Sequence, residues 1–169
     1  MRIFVTGTGR CGTVAFSKAA AHAINYTVGH ESHAGRVNDW EYPDNHIEVD
    51  AHLTIALGLL KNKYPDALFV HLHRMDRVAC VRSLSRLTEA INGFAFVFFE
   101  QRNPDPLEVA GAIYDTYNAL CSKHCGFWLS LERAKEDWRQ CWNFMACEGD
   151  IDASLAEWDI RYNAIKVIT

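Results

Sequence analysis

Ile3-Phe4-Val5-Thr6-Gly7-Thr8-Gly9-Arg10-Cys11-Gly12-Thr13 decides the fold of this chain, because a short apolar strand here runs straight into a glycine-rich turn. The alanine-rich stretch from Val14 to Ile24 reads as a helix, so three glycines lie between a strand end and a helix start. Glycine lets the backbone turn tightly and aim its N–H groups inward, and a helix N-terminus adds the positive end of its dipole. Arg10 supplies a cation and Thr13 a hydroxyl. Together these make a cradle for an anion of the phosphate or sulfate kind.

Outward from the cradle, strand and helix signals alternate, which predicts a single α/β domain over residues 1–169, three-layered, with a mainly parallel central sheet flanked by helices. The first strand is Arg2 to Thr6, the first helix runs from about Gly12 to Asn25, and Tyr26-Thr27-Val28 is a short strand ending at Gly29. His30 to Asp50 reads as polar and turn-rich. Asp50 can cap the next helix, whose apolar face is Leu53, Ala56, Leu57, Leu60 and Tyr64, and Tyr64-Pro65-Asp66 stops it. Ala67 to Leu72 is a buried strand, and a helix follows from Asp76 to about Ile91. Phe94 to Phe99 is too short to span a membrane and reads as core rather than as the wall of an apolar substrate pocket. Leu107, Ala110, Tyr114, Tyr117 and Cys121 recur at helical spacing, Phe127 to Leu131 is a strand, and Trp138, Cys141, Trp142 and Met145 mark one face of a further helix. A last helix through Leu155, Trp158 and Tyr162 and a strand at Ala164 to Ile168 are expected in the tail.

The 169 residues are 49% hydrophobic and 22% charged, enough to bury one real core. A net charge of -4 argues against general nucleic-acid binding, although Lys61, Lys63, Arg74, Arg77, Arg82 and Arg86 form a local basic run. No stretch approaches the roughly 18 apolar residues of a membrane helix, and Met1 leads directly into the first strand without a signal peptide. A cytoplasmic protein with reduced cysteines and no membrane partner is therefore expected. Cys121-x-x-x-Cys125 with His124 lacks the two-pair spacing of structural zinc sites, so no metal is assigned.

The cradle departs from the triphosphate-binding pattern G-x-x-x-x-G-K-[ST] at its chemical end. Thr13-Val14 stands where lysine and a magnesium-holding hydroxyl belong, and Arg10 inside the loop is the cation. A loop of the form G-x-G-R-[SC]-G-T after a first strand resembles the 5′-phosphosulfate loop of sulfotransferases that use 3′-phosphoadenosine 5′-phosphosulfate (PAPS), with Cys11 where serine is usual. A second element, His71 to Leu84, resembles the site at which that superfamily binds the 3′-phosphate, with Arg74 at a strand end and Ser83 on the next helix. The Arg-to-Ser spacing is one residue longer than usual, which leaves Arg77, Arg82 and Ser85 as substitutes for Ser83.

The resemblance implies a P-loop-type fold and transfer of a sulfonate from PAPS to a small-molecule or saccharide acceptor through a hydroxyl or amine, leaving PAP and needing no metal. Gly9, Arg10, Cys11, Gly12, Thr13 and Val14 would hold the 5′-phosphosulfate, and Arg74 and Ser83 the 3′-phosphate. Glu31, after the second strand, corresponds to the catalytic base of several branches, with His30 and His33 as competitors. Two other classes fit the loop: a P-loop nucleotide kinase, against which the lack of G-K-[ST] and of an aspartate-ended second strand counts, and a binding module without catalysis.

Overall fold

The structure, a computed structural model, describes residues 1–33, 40–100 and 104–162, the side chains of Phe98 and Phe99 excepted. Five strands form one all-parallel sheet: β1 (Arg2–Gly7), β2 (Thr27–His30), β3 (His46–Val49), β4 (Leu68–His73) and β5 (Phe127–Ser130), in the spatial order β2-β3-β1-β4-β5. A central parallel strand has both faces covered and so reads as continuous apolar sequence, as Ile3-Phe4-Val5 does.

Alternation along the strands sorts the core into layers. Ile3, Val5, Ile47, Val49, Val70, Leu72 and Leu129 pack on one face against α1 (Thr13–Ala20) and α6 (Ala134–Phe144), with part of α7 (Ile151–Ala156). Phe16 meets Trp138 edge-on there, 5.0 Å between centroids. On the other face Phe4 and Phe69 pack against Leu53 in a 3-10 turn (Ala51–Ala56), Leu57 and Leu60 in α2 (Leu57–Lys63), and Cys121 near the end of α5 (Pro106–His124). A third cluster joins the other end of α5 to α3 (Arg77–Leu84) and α4 (Thr88–Phe99).

Three expectations need correction. The stretch read as turns contains β3, whose polar members His46 and Glu48 are buried, so its strand character is hidden in a polar pattern. The helix expected from Asp76 to Ile91 is two helices, broken where Leu87 N–H turns back to the Leu84 carbonyl. The aromatic run lies in α4, where Ala95 is buried but Phe96 and Val97 are exposed. The strand expected at residues 164–168 lies outside the described residues.

The connection from β1 through α1 leads to one side of the sheet, while β3 crosses over β1 to β4 along the opposite face. Where helices leave in opposite directions a crevice opens at the carboxyl ends of the strands, and such crevices hold ligands in open α/β sheets. The glycine loop sits there.

Candidate active site

Between β1 and α1 the chain takes up left-handed backbone at Gly9 (φ 72°), Arg10 (φ 55°) and Gly12 (φ 100°). Successive turns of this kind gather N–H groups into a concave, anion-attracting surface. At Gly12 the φ is one that residues with a side chain rarely adopt, and a Cβ there would lie 2.7 Å from Leu131 Cδ1, so that the leucine side chain would have to shift. Helix α1 then begins with no side-chain cap and no acid in its first turn. Its first N–H groups therefore keep their capacity to bind an anion.

These groups open into a cavity of about 660 Å³ lined by Arg10, Gly12, Thr13, Val14, Arg74 and Ser83. That volume is in the range of small-molecule sites, roughly 300–1,000 Å³. Six of the residues expected to bind the anion thus come together although they lie on separate elements. Ser83 Oγ accepts a 2.9 Å hydrogen bond from Arg10 Nε, so this serine holds the loop guanidinium in place. Of its substitutes, Arg77 is tied to Asp115 by bonds of 3.0 and 2.7 Å, Ser85 donates to the Arg82 carbonyl, and Arg82 is exposed.

The Cys11 side chain points away into the core; burial first, then the nearby Cys80 and Cys121, pushes its thiol up to about 12. Only its backbone is left to serve a ligand. Arg74 stands just past β4 with Nε 4.0 Å from Glu132 Oε1. Burial disfavours the Glu132 anion, yet the N–H groups of Met75 and Asp76 and the charge of Arg74 hold it below the usual carboxylate range.

Sequence reasoning missed the far wall of the cavity. Arg86, Lys135 and Arg161 add cations, Trp158 and Tyr162 add aromatic surface, and Asp159 pairs with Lys135 at 2.7 Å. The basic run was a signal for Arg86; nothing local marks Lys135 or Arg161, which arrive from elements folded in from the C-terminal part.

The expected base lies in a different cluster. Glu31 follows β2 in left-handed conformation (φ 52°), and its carboxylate, Asp50 and His52 offer donor atoms all within 4.8 Å of one another. Asp50 Oδ1 accepts from the His52 backbone N–H and contacts His52 Nδ1, both at 2.8 Å. The bond to Asp50 raises the His52 pKa above its ordinary 6.5; burial opposes this, while the charges of Asp50 and Glu31 add to it. With Nδ1 so held on a largely exposed ring, Nε2 is the nitrogen left to accept a proton. This cluster adjoins the loop, since a Cβ built on Gly9 would lie 3.7 Å from that of Ala51, between Asp50 and His52.

His30 Nε2 and His33 Nδ1 are buried without a hydrogen-bond partner among the described residues, and His33 packs edge-on against Tyr42. Asp50 also supplies, after β3, the strand-end aspartate that sequence reading did not find. No protein-family model matches this chain, and no curated protein matches it.

Proposed function

We propose that this protein is a sulfotransferase that moves a sulfonate from PAPS to a hydroxyl or amine acceptor. The observation that carries the reading is the cavity at the carboxyl ends of β1 and β4, where an uncapped helix start, Arg10, Thr13 and Arg74 converge without the lysine of a triphosphate loop. A sulfonate in transfer carries less charge than a phosphoryl group, so loop N–H groups and one guanidinium suffice to stabilise it.

The loop from Gly9 to Val14 holds the 5′-phosphosulfate, Ser83 aims Arg10 at it, and Arg74 with Arg86 takes the terminal phosphate. Trp158 and Tyr162 offer surface for the nucleobase. PAPS supplies the sulfonate: the acceptor oxygen or nitrogen bonds to sulfur, the bond to the 5′-phosphate oxygen breaks with its electron pair, and PAP leaves. His52 Nε2 takes the acceptor's proton, Asp50 fixes the ring, and Glu31 stabilises the imidazolium that forms. This assigns to His52 the proton transfer for which the sequence suggested Glu31.

One observation favours the kinase alternative: Asp50, beside the loop, is placed as a magnesium-holding aspartate would be. Against it, Asp50 Oδ1 is engaged twice by His52, and Val14 has no hydroxyl for the ion. A thermal-shift panel of PAP, PAPS and ATP, each with and without magnesium, and of inorganic sulfate separates the readings. PAP should stabilise the protein most, with magnesium making no difference; stabilisation by ATP only with magnesium would favour the kinase.

A further inference from the structure

Strand β3 reads His46-Ile47-Glu48-Val49, and both polar residues are buried, Glu48 completely. Taking a carboxylate out of water costs several kcal/mol unless its oxygens find partners. Both do. Glu48 Oε2 lies 3.0 Å from His46 Nε2, and Oε1 accepts the Ser32 N–H at 2.9 Å. The other nitrogen of His46 meets Thr27 Oγ1 at 2.8 Å, and the Tyr42 ring stacks on the imidazole. The proposed reaction uses none of these groups.

What the network does follows from where Ser32 sits. It is the residue after Glu31, whose φ of 52° is unfavourable for a side chain with a Cβ and so must be imposed by its surroundings. On one side of Glu31 its own N–H donates to the Val49 carbonyl at 3.2 Å; on the other Glu48 grips Ser32. Gly29, paired with Glu48 across the two strands, leaves the necessary space: a Cβ there would stand 2.3 Å from Glu48 Oε2, 2.3 Å from Ser32 Oγ and 3.1 Å from His46 Nε2. A glycine, a buried acid and a buried histidine thus clamp the turn that carries Glu31 to Asp50 and His52.

We infer that the His46–Glu48 pair is a positioning device, holding the turn after β2 so that the Glu31 carboxylate stays beside His52. Its functional meaning rests on the reading of that cluster as the proton acceptor, but its test does not. The charged groups that bear on the His52 ring are Asp50, bonded to Nδ1, and Glu31.

The experiment is an NMR titration of the His52 ring in the full chain, its resonance assigned by its loss in His52→Gln. Glu31→Gln should lower the His52 midpoint by about half a pH unit, the scale of one charge about 5 Å away in a watery setting. Glu48→Leu should lower it by the same amount, the double variant no further, and Glu48→Gln, which keeps an oxygen for Ser32, should stay near the parent. If Glu48→Leu does not fold, Gly29→Ala loosens the same clamp and should give the same shift. A folded Glu48→Leu or Gly29→Ala with the parent midpoint overturns the inference, as does additivity in the double variant or a Glu31→Gln that moves nothing. Failure of the sulfotransferase reading would appear separately, as a parent protein that does not bind PAP.

Discussion

The two flanks of the glycine loop are built on opposite electrostatic plans. On the α1 side five cations face two carboxylates around the cavity, and the helix start is left bare. The starts of α2, α4 and α6 are likewise without a side-chain cap, whereas α3, α5 and α7 begin under the side chains of Asp76, Asp105 and Asp150. On the β2–β3 side two carboxylates surround one histidine. A site that only bound an anion would need the first flank alone. The second suits a group that must gain a proton, because carboxylates stabilise the imidazolium and hold the ring by one nitrogen. In the proposed reaction one flank binds charge and the other moves a proton.

If that division holds, substitutions on each flank should leave the other's property alone. His52→Gln should reduce turnover by about 10²–10⁴-fold while PAP affinity stays at the parent level, as measured by sulfate transfer from labelled PAPS to pooled acceptors and by calorimetry. Arg74→Ala should behave in the reverse sense, with about 1.5–3 kcal/mol of PAP affinity lost. Adenosine 5′-phosphosulfate, which lacks the 3′-phosphate, should bind parent and variant alike; equal losses would mean that Arg74 only supports the fold.

Asp50→Asn probes the second flank through pH. The bond to Asp50 raises the His52 pKa above 6.5, so the folded state holds this proton more tightly than the unfolded chain. The pair therefore contributes stability below about pH 6.5 that is lost as pH climbs through the raised midpoint. Asp50→Asn should lower the NMR midpoint of His52 and flatten the change of melting temperature with pH across that window. The smallest effect is expected at Glu132, which shares Arg74 with the ligand. Glu132→Gln removes the competing charge, but its single oxygen can accept from only one of the Met75 and Asp76 N–H groups, so PAP binding should tighten by at most about 0.5 kcal/mol.

The parts of this molecule that are legible in its sequence are those whose cause is local. The Asp50 cap and the buried stripe Leu53, Ala56, Leu57, Leu60 can be read directly, since capping and periodicity act over a few residues. So can the glycine loop and the strand-end position of Arg74. Strand β3 is hidden because the burial of His46 and Glu48 depends on Ser32 and Thr27, which pairing with β2 brings near. His52 shows no motif; its tether to Asp50 appears only when the turn is folded. Lys135 and Arg161 reach the cavity from elements remote from the loop, and no spacing rule connects them to it.

Calorimetric titration of the parent protein with PAP and with ATP, each with and without magnesium, bears most directly on the cation-lined cavity as a phosphosulfate-nucleotide site. PAP should bind with a Kd of a few micromolar or tighter, on the order of −8 kcal/mol, and magnesium should not alter it. ATP should bind more weakly under both conditions. Tighter, magnesium-dependent binding of ATP would contradict the account.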